Sequence, residues 1–254
     1  MRPTKLFLFV ILFAIALKST QAIRPLECEV LDNTTGTPDS RFGREVGTVY
    51  GSDMLITATE FVLRTFGQSD TGGRGYDFVL LVVESFYAHD RPYAFATTNG
   101  SRILMNADYL QTFPGDMKEE FTGIVYFTSG LVWQWTGNGG APMGLLTGMA
   151  DYIRLTAGWG YEGWPRRGSG LRWDEGYAIT ANFLEYCEGL RQGFVSDLNA
   201  MMIDSYSDAY FVEILGKPVN VLWEYYKFEY ATPEPAQALE YGSPGPAPAQ
   251  TFGY

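Results

Sequence analysis

The groups in this sequence that could do chemistry are few and scattered. His89 is the single histidine, in the loop-like stretch FYAHDRPY with no patterned partner, so it reads as an exposed loop residue and not a metal ligand. Asp90, Asp151, Asp174 and Glu175 supply carboxylates for acid/base work, but no spacing pairs one of them as an acid with another as a base. Cys28 and Cys187 are the only thiols. An oxidising compartment would permit them to form a disulfide, while a buried free thiol at Cys187 suits its helical surroundings. Asn33-Thr34-Thr35 and Asn99-Gly100-Ser101 are glycosylation sequons in turn-like settings. Among the six tryptophans, Trp159 and Trp164 lie in a Gly-rich connection and are candidates for a groove wall.

These residues hang on a central stretch, DMKEEFTGIVYFTSGLVWQWTGNGGAPMGLLTGMADYIR, residues 116–154, which the pattern divides into two helices. Asp116 with Glu119 three residues on is a capping-box start, and Phe121, Ile124, Val125, Val132 and Trp135 recur at helical spacing up to Gly137, Gly139 and Gly140. Pro142 suits the first turn of the second helix, with Leu145, Leu146, Met149, Ile153 and Leu155 on its buried side. Upstream, residues 23–45 read as extended or loop, 46–66 as a helix and 78–83 as a buried strand. Residues 93–97 and 102–105 read as a hairpin turning at Asn99-Gly100. Downstream, Asp174 is expected to cap a helix, 194–202 to form another, Ser207 to cap a third ending at Gly216, and Pro218 to open the last. A small sheet with helices, followed by a mostly helical lobe, is an α+β arrangement.

The run V-W-Q-W-x-G-N-G-x-A-P-x-G-L-x-x-G-x-A-D-Y-x-R-L resembles the plant basic secretory protein family, secreted proteins of zinc-peptidase type. The likeness continues through WDEGYAITANFLEYC and YSDAYFVEILGKPVNVLWEYYK, covering roughly residues 30–230, and implies a zincin-like arrangement. The family carries H-E-x-x-H directly before V-W-Q-W: two histidines one turn apart on a zinc ion, and a glutamate as general base for its water. In this sequence those positions are Phe127, Thr128 and Leu131, and the third ligand position implied by the resemblance, in E-G-x-A-D, is Thr147. None of the four can hold zinc or act as a base, so no metal or cofactor is expected. Asp151 is what remains of the support such a site would have. With no ligating histidine to orient, it is free to pair with Arg154, to bond Thr128, or to face solvent.

MRPTK, the apolar LFLFVILFAIAL and KSTQA form a secretory leader with a cut after Ala22, so the protein is expected outside the cell, in the apoplast or wall. Residues 23–230 then form a single domain, and residues 231–254, rich in Pro, Ala and Gly, read as a disordered tail. The formal charge of -11 argues against nucleic acid and anionic membranes, both of which need Lys and Arg. The expected role is that of a catalytically inactive monomer binding a protein, peptide or glycan, in defence or development. The alternative is a secreted hydrolase or peptidase with a relocated site.

Overall fold

The strands are short and close into one sheet: β1 (Glu27–Asp32), β2 (Phe78–Glu84), β3 (Ala96–Asn99) and β4 (Arg102–Asn106), in the order β1-β2-β4-β3. β1 and β4 both run parallel to β2, with Val30 opposite Leu81 and Leu81 opposite Ile103, whereas β3 pairs antiparallel with β4. The computed structural model describes residues 26–34, 40–68, 74–87 and 94–230. The leader, Thr35, His89, Asp90 and the tail from 231 lie outside the described residues.

β1 is extended, as one of the two expectations for residues 23–45 had it, and it is paired into the sheet. Cys28 and Val30 turn inward while Glu27, Glu29 and Leu31 face out, a period-2 alternation too brief to stand out in sequence but sufficient beside β2. Phe42–Val46, in the same segment, is a π-helical turn that buries Phe42 and leads into α1 (Gly47–Thr65). β2 has Leu81, Val82 and Val83 buried in succession, as a strand covered on both faces must. α2 (Ala107–Thr112) was not expected; Asn106 caps it by accepting a hydrogen bond from the Asp108 N–H at 3.0 Å.

α3 (Met117–Trp133) starts as expected, with the Asp116 carboxylate accepting from the Glu119 N–H at 2.9 Å. It ends before Trp135. The anticipated apolar stripe is only part of its buried surface, because Thr122, Tyr126, Thr128 and Ser129 are buried as well, leaving a helix surrounded by protein through its middle turns. α4 (Met143–Thr156), with Pro142 at its N-cap, crosses α3 at glycine: a Cβ on Gly130 would lie 2.9 Å from Ala150 Cα. α5 (Tyr177–Leu190) packs on α4 through Gly144 and Gly148, which face the Asp174 carbonyl and the Thr180 side chain. α5 is not capped by Asp174. That carboxylate points outward into a bidentate pair with Arg172, and the helix begins after Gly176.

α6 (Phe194–Met201), α7 (Ala209–Leu215) and α8 (Val219–Glu229) complete the described residues. Asp208 occupies the cap position of α7, with the Ser207 hydroxyl accepting from Ala209 N–H. Gly216 ends α7 in the left-handed region, and Pro218 opens α8. The architecture is α+β, with its carboxyl part helical and one continuous hydrophobic core running from Val30 and Leu81 to Phe183 and Tyr226. No helix among the described residues is long and apolar enough to cross a membrane.

Candidate functional site

Phe127 lies at the middle of α3 and is 4 % exposed. Its ring stacks on Tyr177 at the start of α5, with centroids 5.9 Å apart and planes at 11°, and meets the edge of Phe95 at 5.5 Å. Thr147 on α4 reaches the same residue: its hydroxyl donates to the Met143 carbonyl at 3.1 Å and accepts from the Tyr177 N–H at 3.3 Å. Phe127 and Thr147 are thus brought together through Tyr177. Thr128 is fully buried and its hydroxyl donates to the carbonyls of Ile124 (2.8 Å) and Val125 (3.2 Å) of its own helix. Leu131 is half-buried one turn further on.

Tyr177 is the residue that sequence reasoning missed. It follows Gly176 with φ at 46°, a left-handed conformation that a bulky side chain adopts only where its surroundings hold it there. The ring stack on Phe127 and the bond from its N–H to Thr147 are two such constraints. No sequence motif marks such a residue; the signal would have been a glycine before an aromatic at a helix start.

Behind this stack lies a buried polar network. Arg154 and Glu120 form an ion pair at 2.8 Å, with side chains only 7 % and 11 % exposed. Tyr109 donates its hydroxyl to the other Glu120 oxygen at 2.7 Å, and Arg154 Nε donates to the Trp159 carbonyl at 2.8 Å. The guanidinium also lies 5.2 Å from the Tyr161 ring centre. Asp151 shares this neighbourhood without a hydrogen bond to any described residue. Burial pushes its carboxyl up to about 7; the Arg154 charge acts against that shift and the Glu120 charge adds to it. Neither expected partner serves it as one, since Arg154 is committed to Glu120 and Thr128 to its helix backbone, and at 3 % exposure it is no solvent-facing group. Tyr161 is likewise pushed up to about 12, by burial and by the nearby carboxylates.

Trp159 and Trp164 are both half-buried. Trp159 packs against Tyr126 at 6.4 Å, and Trp164 packs on Tyr161 at 4.8 Å while its indole N–H donates to Asn182 at 2.8 Å. A cleft of about 370 Å³ lies elsewhere, between α5, α7 and α8, where Leu190, Ile214, Leu215 and Leu222 line it. Both thiols are free, Cys28 on β1 and Cys187 within α5, and burial pushes each of them up. Asn33 and Asn99 are both exposed.

Comparison with known proteins places this chain in a family. The model for BSP, described as a peptidase of plants and bacteria, matches residues 24–226. The chain belongs to this family. A basic secretory protease of Boswellia serrata is 37 % identical over 62 residues, covering 24 % of this chain and 72 % of that one. No solved structure matches.

For a BSP member, zinc is the metal the resemblance implies, and the donors present can be tested against it. They do not fit. A phenyl ring, a leucine side chain and two threonine hydroxyls already bonded to backbone offer no nitrogen, sulfur or carboxylate, and the described residues contain no group of three or more His, Cys, Asp or Glu that could hold a metal.

Proposed function

We propose that this BSP-family chain is an extracellular protein that has lost the family's zinc chemistry and acts by binding a protein, peptide or glycan in the apoplast, in defence or development. The observation that carries the reading is the aromatic stack of Phe127 on Tyr177. Where the resemblance implies a metal-binding imidazole, a buried ring is held by two other rings, and a water-filled cavity there would cost that packing. The leader-like residues 1–22 and the secretory name of the Boswellia relative support the extracellular location. The acidic balance favours neutral or basic partners over nucleic acid and membrane.

A second reading rests on Asp151. A buried carboxyl poised near 7 is a form that acid/base catalysts take, so hydrolysis independent of zinc would centre there. One experiment separates the two: measure bound zinc and casein hydrolysis on protein purified from culture medium, beside Asp151→Asn. The binding reading expects neither zinc nor turnover. Stoichiometric zinc would overturn it, and zinc-free turnover lost in Asp151→Asn would establish the second reading.

A further inference from the structure

We propose that Asn99 carries an N-linked glycan, set at the tip of the β3–β4 hairpin on the outer edge of the sheet. This rests on the extracellular reading above. Asn99 is the last residue of β3, opposite Arg102, so the two-residue turn is Gly100-Ser101 and not the expected Asn99-Gly100. Gly100 takes φ at 58° whereas Ser101 stays outside the left-handed region, the pattern of a II′ turn with glycine first. That register places Asn99 at the end of its strand, where it is exposed. The other two residues of the sequon form the turn itself, so all three lie at the end of the hairpin.

The second sequon is placed differently. The Asn33 amide donates to the Glu84 carboxylate at 2.9 Å, and Thr34 beside it is buried, with its hydroxyl turned to Asp32 and Ser40. β3 is the outermost strand, and no described strand pairs with its other side. A sugar at its end is hydrophilic and bulky, and helps shield an edge that would otherwise invite another strand. Phe95 lies four residues away, about 13 Å along an extended chain, so the attachment point is separate from the rings around Phe127.

The donor class is an oligosaccharide carried on a lipid pyrophosphate. Asn99 Nδ2 attacks the first sugar carbon. The N–C bond forms as the bond from that carbon to the pyrophosphate oxygen breaks, the lipid pyrophosphate departs with the electron pair, and the amide nitrogen gives one proton to the transferase.

The test is to secrete the full chain from plant cells and map the Asn99 peptide by mass before and after peptide N-glycosidase, beside Asn99→Gln and Ser101→Ala. The wild-type peptide should carry a glycan that the enzyme removes, leaving aspartate at 99. Both variants should lose that mass and keep the parent melting temperature. An unmodified Asn99 in a chain whose leader has been cleaved overturns the proposal while leaving the extracellular reading intact. A chain held in the cells with residues 1–22 still attached overturns the extracellular reading, and the glycan with it.

Discussion

Phe127 and Tyr177 stack with their ring planes 11° apart and centroids 5.9 Å apart, one from the middle of α3 and the other from the strained first residue of α5. The contact ties the two helices that flank α4 and fills the position where the resemblance implies a zinc ligand. Phe127→Ala should destabilise the fold by about 3–5 kcal/mol, the range for removing a buried phenyl ring. A double-mutant cycle with Tyr177→Ala, read by urea unfolding, should return a coupling of about 0.5–1.5 kcal/mol. Additive losses would mean that the rings are neighbours and not partners.

Asp151 should make stability depend on pH. The unfolded carboxyl titrates at its ordinary 3.8 and the folded one at about 7, so between those values the folded state holds a proton that the unfolded state has released. This group's contribution therefore falls as pH climbs from about 4 to about 7. Asp151→Asn stays neutral throughout, so it should match the parent near pH 4 and exceed it above pH 7, by on the order of a few kcal/mol. Thermal melts across that interval check this; parallel curves for the two proteins would show that Asp151 is ionised in the fold.

The Glu120–Arg154 pair should resist removal of one partner more than removal of both. Glu120→Leu leaves a buried guanidinium without its carboxylate and should cost about 3–5 kcal/mol, whereas adding Arg154→Met should recover much of that loss. Glu120→Leu should also lower the midpoint of Asp151, because the Glu120 charge helps to hold it up. Urea unfolding gives the first result, and carboxyl NMR titration the second.

Gly130 should tolerate no side chain. A methyl group there would lie 2.9 Å from Ala150 Cα, which is backbone and cannot swing away, so Gly130→Ala must push α3 and α4 apart. A loss of about 1–3 kcal/mol in chemical denaturation is expected, against a gain where glycine sits in an open helix.

What could be read in the sequence follows from range. α3, α4 and α8 were legible because Asp116, Pro142 and Pro218 are local start signals beside strongly apolar runs. β1 was not, because its inward set is little more than Cys28 and Val30 and its stability comes from β2, some fifty residues away. Asp174 misled because an aspartate before a helix caps it only if the side chain turns back, and here Arg172 holds it outward. Positions 127, 128, 131 and 147 came from the resemblance, aligned on the motif beside V-W-Q-W. What fills the space could not be read from sequence, since Tyr177, Phe95 and the Glu120–Arg154 pair arrive from elements distant in the chain.

The most direct test of the proposed loss of zinc chemistry is a comparison of melting temperatures in zinc and in chelator, for the parent and for the variant Phe127→His, Thr128→Glu, Leu131→His, Thr147→Glu. The variant should melt below the parent in chelator, since it places polar groups among the rings around Phe127. Zinc should then raise it, because a ligand bound by the folded state alone stabilises that state by mass action. The parent should melt at the same temperature in both buffers. A parent that melts higher in zinc and lower in chelator holds a metal through residues other than these four, and the assignment of lost zinc chemistry would be contradicted.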